Sequence, residues 1–553
     1  MKYIGQTLEK HKGCDILDIN PGAGLWSQKL HEFLQPRSHV LLEPNPSLFK
    51  EFLDPLLDAP GSTYKLVSKD TSELSAIKEI VDEGHFANQQ RVDPSDPKAQ
   101  EPNHTLLVTG SLAWDPRLPG LGFDSMAKQL YHHFASAAWS NDLIHAFGPV
   151  RTLFWVENDD FNHMIAQSTL GMTKSSRMLE MTQQLEWVVG AERKARPSGK
   201  GALGREPQYE LESIVRALRA GRESGLDMPP HRQDYTHRFA SQIEEVSGGT
   251  GISRVDFIQR FMYDQQLKGN APIGLAQQSA IEYIEMEMQV RKDHPVIDRL
   301  GVTFPTLESR QRRIEASSKS LPSLPTAFLR KRNQWVHNIK QRMKLEAVAD
   351  IGEKLYKLEC SALEMQHGSK RDALIEQIEK LDEAWEQAIA KTHIRGQTMP
   401  LAEVDDRISL RYPPHPRIQW DQRSFEPLVP RLVEAWPHNR MSLVSATPIP
   451  RPSDHTSDLH EWMQDFVNRL YIDSAKPVLQ ALDNMQHGLS DIVNECPSFH
   501  DPMKGGRMLL KHLRVRMLTM DMIRELVQAY RGWPFKKPGS DHSTYFRYRD
   551  TNQ

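Results

Sequence analysis

The sequence is poor in cysteine, which limits the kinds of site it can support. Among 553 residues there are three cysteines, Cys14, Cys360 and Cys496, and they are far apart in the chain. Neither a CxxC pair nor a cysteine–histidine ligand spacing occurs. A disulfide framework and a structural zinc site are therefore not supported, and we predict no metal site.

Long apolar runs and a net positive charge are also missing. No segment approaches the ~18 consecutive apolar residues of a membrane span, so we predict none. The formal net charge is −3. Any binding of nucleic acid therefore has to come from local basic patches. The first residues, MKYIGQTLEKHKG, are neither a secretory signal nor a clear transit peptide. Strand-like residues follow almost at once, which leaves the completeness of the N-terminus open.

From residue 15 to about 157, strand-like and helical segments alternate regularly. Strands are predicted for DILDI, SHVLLE, STYKLVSKD, HTLLVTGSLAW and PVRTLFWVEN, with helical spacing between them. Such alternation predicts an α/β fold, a mostly parallel sheet with helices on both faces.

The rest of the chain divides by composition. A Gly-rich basic loop, GAERKARPSGKGALGRE, precedes long polar helices. Apolar residues at 374–388 recur in steps of four and three, and with the helix at 339–362 they predict an antiparallel hairpin. We expect an inserted bundle with solvated charged faces. MSLVSATPIP predicts a strand that completes the sheet, and RMLLKHLRVRMLTMDMIRELVQAY predicts one helix. The predicted domains are 1–190 (Rossmann-like), 191–410 (basic loop and helical insertion), 411–470 (return to the sheet), 471–538 (helical) and 539–553 (tail).

The stretch CDILDINPGAGLWSQKL carries the first candidate site. A strand ending near Asp18 runs into a turn that contains Asn20, Gly22 and Gly24. Glycine lets the backbone approach a cofactor closely, and asparagine tolerates unusual backbone angles better than most residues. Glu43 ends the second strand, at a distance typical of an acid that binds both ribose hydroxyls.

Two further strand ends complete this candidate site. Asp70 ends the third strand, where its carboxylate can accept from an adenine amino group. The fourth strand ends in TGSLAW, which contains Gly110 and lies across the predicted cleft. Together these strand ends predict a site for S-adenosylmethionine, although the glycine turn alone is a weak signal.

The ordered stretches DINPGAG, LLEPN, VSKD and VTGSLAW resemble the ribosomal RNA adenine N6-dimethyltransferases. The pattern of that family is E-I-G-P-G-x-G, I-E-x-D, a later Asp and N-L-P-Y. The stretches FGPVRTLFWV, WDQRSFEPLVPRLVEAWPHNRMSLVSATP and RGWPFKKP resemble the branch of mitochondrial transcription factors of the fungal type. The resemblance covers about 15–189 and 418–538. It implies a class I methyltransferase fold with a C-terminal helical domain.

The departures from the family pattern concern the chemistry. Asn20 replaces the first motif glycine, and Ser111, Ala113 and Trp114 replace the Asn, Pro and Tyr of the catalytic motif. In the active enzymes that asparagine holds the adenine amino group and the aromatic ring stacks on the flipped base. Ser111, Leu112 and Trp114 are therefore the counterparts of a degenerate catalytic turn. We interpret Asn20 as the mildest departure and the cofactor shell as better preserved than this turn.

Basic residues supply candidate contacts with nucleic-acid phosphates. One group lies in the basic loop and a second follows a helical spacing near the C-terminus. The tail mixes basic and aromatic residues that can stack on unpaired bases. The candidates are Arg193, Lys194, Arg196, Lys200 and Arg205 in the loop, Arg507, Lys511 and Arg514 in the predicted helix, and Tyr545, Arg547 and Arg549 in the tail. A solvated face and a tail without a partner are the alternatives.

Three functions remain open at this point. The first is a mitochondrial transcription initiation factor that helps a single-subunit RNA polymerase open promoter DNA. The second is an active adenine N6-dimethyltransferase of the small-subunit ribosomal RNA. The third is a non-catalytic assembly protein of the mitochondrial ribosome. The resemblance implies a location in the mitochondrial matrix and RNA polymerase with promoter DNA, or ribosomal RNA, as partners.

Overall fold

A seven-stranded sheet organises the chain in the computed structural model. The model describes residues 1–114, 116–161, 164–197, 205–247, 254–295, 297, 302–307, 325–434, 440–452 and 457–536. The strands lie in the order β3-β2-β1-β4-β5-β7-β6; β1 to β5 are parallel, and β7 is antiparallel to both neighbours. The strands are β1 (Asp15–Ile19), β2 (Ser38–Leu42), β3 (Tyr64–Val67), β4 (Asn103–Ser111), β5 (Val150–Glu157), β6 (Gln183–Val189) and β7 (Met441–Pro448). The predicted α/β fold and the predicted strand at MSLVSATPIP are confirmed.

Both faces of the sheet are covered by helices, because its central strands are apolar on both sides. On β1, Ile16 packs in one core cluster while Leu17 and Ile19 pack in another, as the alternation of side chains along a strand requires. The helices of this part of the chain are α1 (Lys2–Leu8), α2 (Leu25–Leu34), α3 (Lys50–Leu57), α4 (Leu74–Asp82), α5 (Met126–Ala137), α6 (Asn158–Phe161) and α7 (Lys174–Thr182).

The middle of the chain is helical, as its sequence predicts. Its helices are α8 (Pro207–Glu223), α9 (Tyr235–Ser247), α10 (Val255–Leu267), α11 (Gln278–Asp293), α12 (Thr326–Glu364), α13 (Ser369–Lys391) and α14 (Thr398–Arg411). The predicted hairpin is confirmed: α12 and α13 pack along each other, and Ile378 and Trp385 are buried between α13 and its neighbours. The charged faces are only partly solvated, because α12 buries Arg342 and Glu359.

The C-terminal part corrects one helix prediction. Its helices are α15 (Ser457–Leu470), α16 (Val478–Met485) and α17 (Met520–Gly532). The single helix predicted from residue 507 onward is wrong: the chain makes short 3₁₀ turns at Leu510–His512 and Val515–Met517 before α17 begins. The apolar residues of this segment, 507–517, pack in the core from short turns, and its arginines are buried as well. None of the helices within the described ranges is long and apolar enough to cross a membrane.

Gly352 provides a test of how tightly the hairpin is packed. A Cβ atom at this position of α12 would lie 2.8 Å from the Trp385 ring and 2.8 Å from Val404 Cγ2 on α14. We expect Gly352→Ala to lower the free energy of unfolding by about 1–3 kcal/mol through overpacking. Gly532→Ala is the matched control, since nothing lies within 4 Å of its Cβ position. Urea denaturation of both variants measures the difference, and equal stabilities would contradict the packing.

Candidate functional site

The candidate cofactor cleft lies where β1, β2 and β4 end, at the carboxyl edge of the parallel strands. The turn after β1 takes left-handed backbone conformations, with φ of +51° at Asn20, +57° at Gly22 and +70° at Gly24. Glycine adopts these angles freely and asparagine more readily than other residues. On β4, Gly110 has no substitute, because a Cβ atom there would lie 1.9 Å from the carbonyl oxygen of Ile19.

The Asn20 side chain spans the cleft. Its Nδ2 donates to the carbonyl oxygen of Ser111 at 2.9 Å, and its Oδ1 accepts from Thr71 Oγ1 at 2.5 Å. One amide therefore joins the ends of β1 and β4 to the turn that follows β3. Thr71 is fully buried, so its hydroxyl depends on this contact.

Glu43 is held by backbone groups of two turns. Its Oε2 accepts from the Gly22 N–H at 3.1 Å and its Oε1 from the Asn45 N–H at 3.0 Å. The residue is only 3% exposed. The carboxylate predicted to bind ribose thus fastens the glycine turn to the end of β2.

The two remaining acids face elsewhere. Asp18 is fully buried within β1, and its Oδ2 lies 3.4 Å from His39 Nε2 on β2. Asp70 is exposed and accepts from the backbone N–H and the hydroxyl of Ser72, at 2.9 and 2.7 Å. Asp70 therefore closes its own turn, and Asp18 belongs to the interior of the sheet.

The degenerate catalytic turn is engaged in structural contacts. Ser111 Oγ accepts from the Ala113 N–H at 3.3 Å, and the Leu112 N–H donates to the carbonyl oxygen of Trp155 at 2.8 Å. Leu112 is 1% exposed, while Trp114 is half-buried and packs against the main core. None of these side chains offers the amide carbonyl of the enzymes' catalytic asparagine.

In this arrangement the polar groups at the strand ends bond to one another. The Asn20 amide is satisfied by Ser111 and Thr71, and both Glu43 oxygens already accept from backbone N–H groups. A ligand that displaces these contacts has to replace each hydrogen bond that it breaks. Binding of S-adenosylmethionine therefore stays a prediction, one that requires this cleft to open.

Two residues that form hydrogen bonds near the cleft were not predicted from the sequence. Thr71 follows the predicted Asp70, and Trp26 donates its indole N–H to Thr109 Oγ1 at 2.9 Å beneath the cleft. A hydroxyl that meets an amide 51 residues away leaves no local pattern. The signal was Asn20 itself, a polar side chain at a position where the family has none.

The basic loop is less free than predicted. Arg193 lies 3.3 Å from Glu210 and 3.1 Å from Asp234, and Arg205 forms a buried pair with Asp421 at 2.6 Å. Both guanidinium groups are therefore committed to carboxylates, which corrects the expectation of a free basic loop.

The other loop candidates differ in their surroundings. Lys194 keeps 65% of its side chain exposed beside Asp159, and its predicted phosphate contact stays a prediction. Arg196 donates to the carbonyl oxygen of Arg205. Lys200 lies outside the described residues, as do Tyr545, Arg547 and Arg549 of the tail.

The predicted basic stripe near the C-terminus is not a helical face. Arg507 is buried against Glu359 of α12, and Arg514 is buried against Asp405 of α14. The stripe is wrong because the segment is not helical and turns these arginines toward carboxylates of the middle helices. Lys511 alone of the three is substantially exposed, and it lies 2.6 Å from Asp382 and 2.5 Å from Glu386.

The surroundings of Lys511 include a set of groups able to ligate a metal. Asp382, Glu386 and His512 bring ligand atoms within 4.8 Å of one another. The ammonium group of Lys511 already lies between the two carboxylates and compensates one of their two negative charges.

The Asn20 bridge predicts a stability effect. Replacing Asn20 by Ala leaves the Ser111 carbonyl and the Thr71 hydroxyl without this partner, and Ala tolerates the positive φ of this position less well than Asn does. We expect a loss of about 2–3 kcal/mol of unfolding free energy. Asn20→Gly loses the same bonds without the backbone strain, so we expect a smaller loss. Chemical denaturation measures the free energy of unfolding of both variants. If neither variant is less stable than the unmodified protein, the proposed bridge is contradicted.

The ion pairs of the C-terminal segment differ in burial, so we expect their loss to lower the free energy of unfolding by different amounts. Glu359 is fully buried and accepts from Arg507 and from the Leu509 N–H. We expect Glu359→Gln to cost about 3 kcal/mol or more, because it leaves a buried guanidinium uncompensated. We expect Lys511→Gln, at an exposed pair, to cost less than about 1 kcal/mol. Thermal and urea unfolding measure both; a larger effect of Lys511→Gln would overturn this assignment.

Comparison with known proteins gives one distant relationship. No protein-family model matches the chain. Over 164 residues the chain is 23% identical to Mitochondrial transcription factor 1 of Saccharomyces cerevisiae, a stretch that covers 30% of this chain and 43% of that protein. The matched stretch thus spans less than half of the relative's length. The chain is a distant relative of a mitochondrial transcription factor.

Proposed function

We propose that this protein is a mitochondrial transcription initiation factor derived from the ribosomal RNA adenine dimethyltransferases. The observation that carries the proposal is the similarity to Mitochondrial transcription factor 1 of Saccharomyces cerevisiae. It acts in the mitochondrial matrix, binds a single-subunit RNA polymerase and helps it to open promoter DNA.

The cleft supports a function without catalysis. The Asn20 amide joins the ends of β1 and β4 to the turn after β3, and Glu43 secures the glycine turn, so these motifs have a structural role that needs no ligand. The sheet order and the antiparallel β7 fit the methyltransferase-type fold class predicted from the sequence. A methyltransferase ancestor whose cleft has closed accounts for both features.

Reconstituted transcription tests the proposal. The cognate mitochondrial RNA polymerase is assayed with and without this protein on a duplex promoter and on the same promoter premelted around the start site. We expect the protein to stimulate transcription from the duplex strongly and from the premelted template weakly, because opening is the step it assists. Equal transcription from the duplex in its absence would contradict the proposal.

One observation favours the alternative, an active adenine N6-dimethyltransferase: Glu43 ends β2 beside the glycine turn, where a ribose-binding acid belongs. The same preparation is therefore incubated with labelled S-adenosylmethionine and a small-subunit ribosomal RNA hairpin. We expect no dimethyladenosine, since Ser111 supplies no amide carbonyl. Sustained turnover would favour the enzyme, and calorimetry with S-adenosylmethionine separates binding from transfer.

A further inference from the structure

A second cavity lies at the opposite edge of the sheet from the cleft. It has a volume of about 280 Å³ and is formed by the amino ends of β4 and β5, the end of β7 and the turn that follows α1. The residues that matter for its chemistry are Thr7, Lys10, His11, His104 and Arg151. Its lining is therefore rich in hydrogen-bond donors and contains no carboxylate.

Arg151 forms one wall and has spare donors. Its Nε donates to Ser445 Oγ at 2.9 Å, and its terminal nitrogens donate to the carbonyl oxygen of Thr7 at 2.6 Å and to Thr7 Oγ1 at 3.2 Å. A guanidinium carries five N–H donors, so two remain. All three acceptors are neutral, which leaves the charge of this largely buried group without a hydrogen-bonded carboxylate.

Two carboxylates of the neighbouring elements have other partners. Glu186 on β6 acts on Arg151 electrostatically but accepts a hydrogen bond from Ser424, and burial raises the pKa of its carboxyl above the usual value. Glu9, in the turn beside the cavity, pairs with Lys12 at 2.7 Å. The cavity therefore keeps a net positive charge.

His11 adds an unsatisfied group to the lining. The residue is 2% exposed, and its Nδ1 has no hydrogen-bond partner. Its ring meets that of His104 edge to face at 5.4 Å. Burial, together with Arg151, His104 and Lys10, lowers the pKa of His11 to about 4. When Nδ1 carries a proton, it can donate a hydrogen bond to an anion that fills the space.

We propose that this cavity binds a phosphate group, either of a free phosphorylated small molecule or of a nucleic-acid backbone. Donors reach the cavity from three separate elements: the turn after α1, the start of β4 and β5. Three convergent directions suit the oxygens of a tetrahedral anion, and the guanidinium of Arg151 adds a permanent positive charge beside them. The site is independent of the cleft and of the proposed function.

Nuclear magnetic resonance of the His11 imidazole, in the full chain, tests the proposal with inorganic phosphate as the probe. An anion beside the ring favours its protonated form, so we expect phosphate to raise the pKa of His11 from about 4. Lys10→Gln should weaken phosphate binding about fivefold, the value of one charge-assisted contact of about 1 kcal/mol. Lys511→Gln is the matched control, since it also removes one exposed positive charge but Lys511 does not line the cavity.

Two further probes identify the source of the phosphate. If adenosine monophosphate shifts the His11 resonance as phosphate does and a single-stranded oligonucleotide does not, the ligand is a small molecule. If the oligonucleotide shifts it and phosphate competes, the ligand is a nucleic-acid backbone. No shift at about 50 mM phosphate, where a millimolar site is saturated, or an equal loss in Lys10→Gln and Lys511→Gln, would overturn the proposal.

Discussion

Three buried carboxylates on helix α14 hold the parts of this protein together. Glu403 accepts from Arg342 of α12 and from Tyr209 of α8, at 2.6 and 2.7 Å. Asp405 accepts from Arg514 and Arg516 of the C-terminal segment, and Asp406 accepts from the backbone and hydroxyl of Thr169, beside the sheet. Burial opposes the ionisation of Asp405, but the two arginines outweigh it and hold the pKa of that carboxyl below its usual value. Because breaking a buried pair strands a charge, these contacts act as fixed points for packing. The middle helices are therefore an integral part of the fold.

The sequence predicts the framework well, and the reason is periodicity. Buried strands such as β1 and amphipathic helices such as α13 leave local patterns that a reader of the sequence can recognise. The paired cations leave no such pattern: Arg507, Lys511 and Arg514 have helical spacing, yet all three pair with carboxylates more than 100 residues away. A single sequence shows which charges exist but not which of them are compensated. Strand β6 was not predicted either, because in the described structure it pairs with β7, a strand that is distant in the sequence.

The candidate site shows the same division. Its members could be located from strand ends, and Gly22, Glu43, Gly110 and Ser111 lie together as expected. The hydrogen bonds among these residues could not be predicted, because they depend on the side chain of Asn20. Asn20, interpreted from the sequence as the mildest departure, makes the contacts that close the cleft, whereas the shorter Ser111 contributes only its backbone carbonyl there. The Asn20 amide supplies both a donor and an acceptor where the ends of β1 and β4 meet the turn after β3.

The position of β7 has a consequence for the order in which the chain can fold during synthesis. Strand β6 ends at Val189, but its partner begins only at Met441, about 250 residues later. Until then the ribosome has released β1 to β5 with the edge of β5 unpaired, and β6 has no strand beside it. Unpaired strand edges can pair with non-native segments until β7 has been synthesised. The helices of the middle segment emerge during this interval and are rich in local contacts that form early, so they can fold before the sheet is complete.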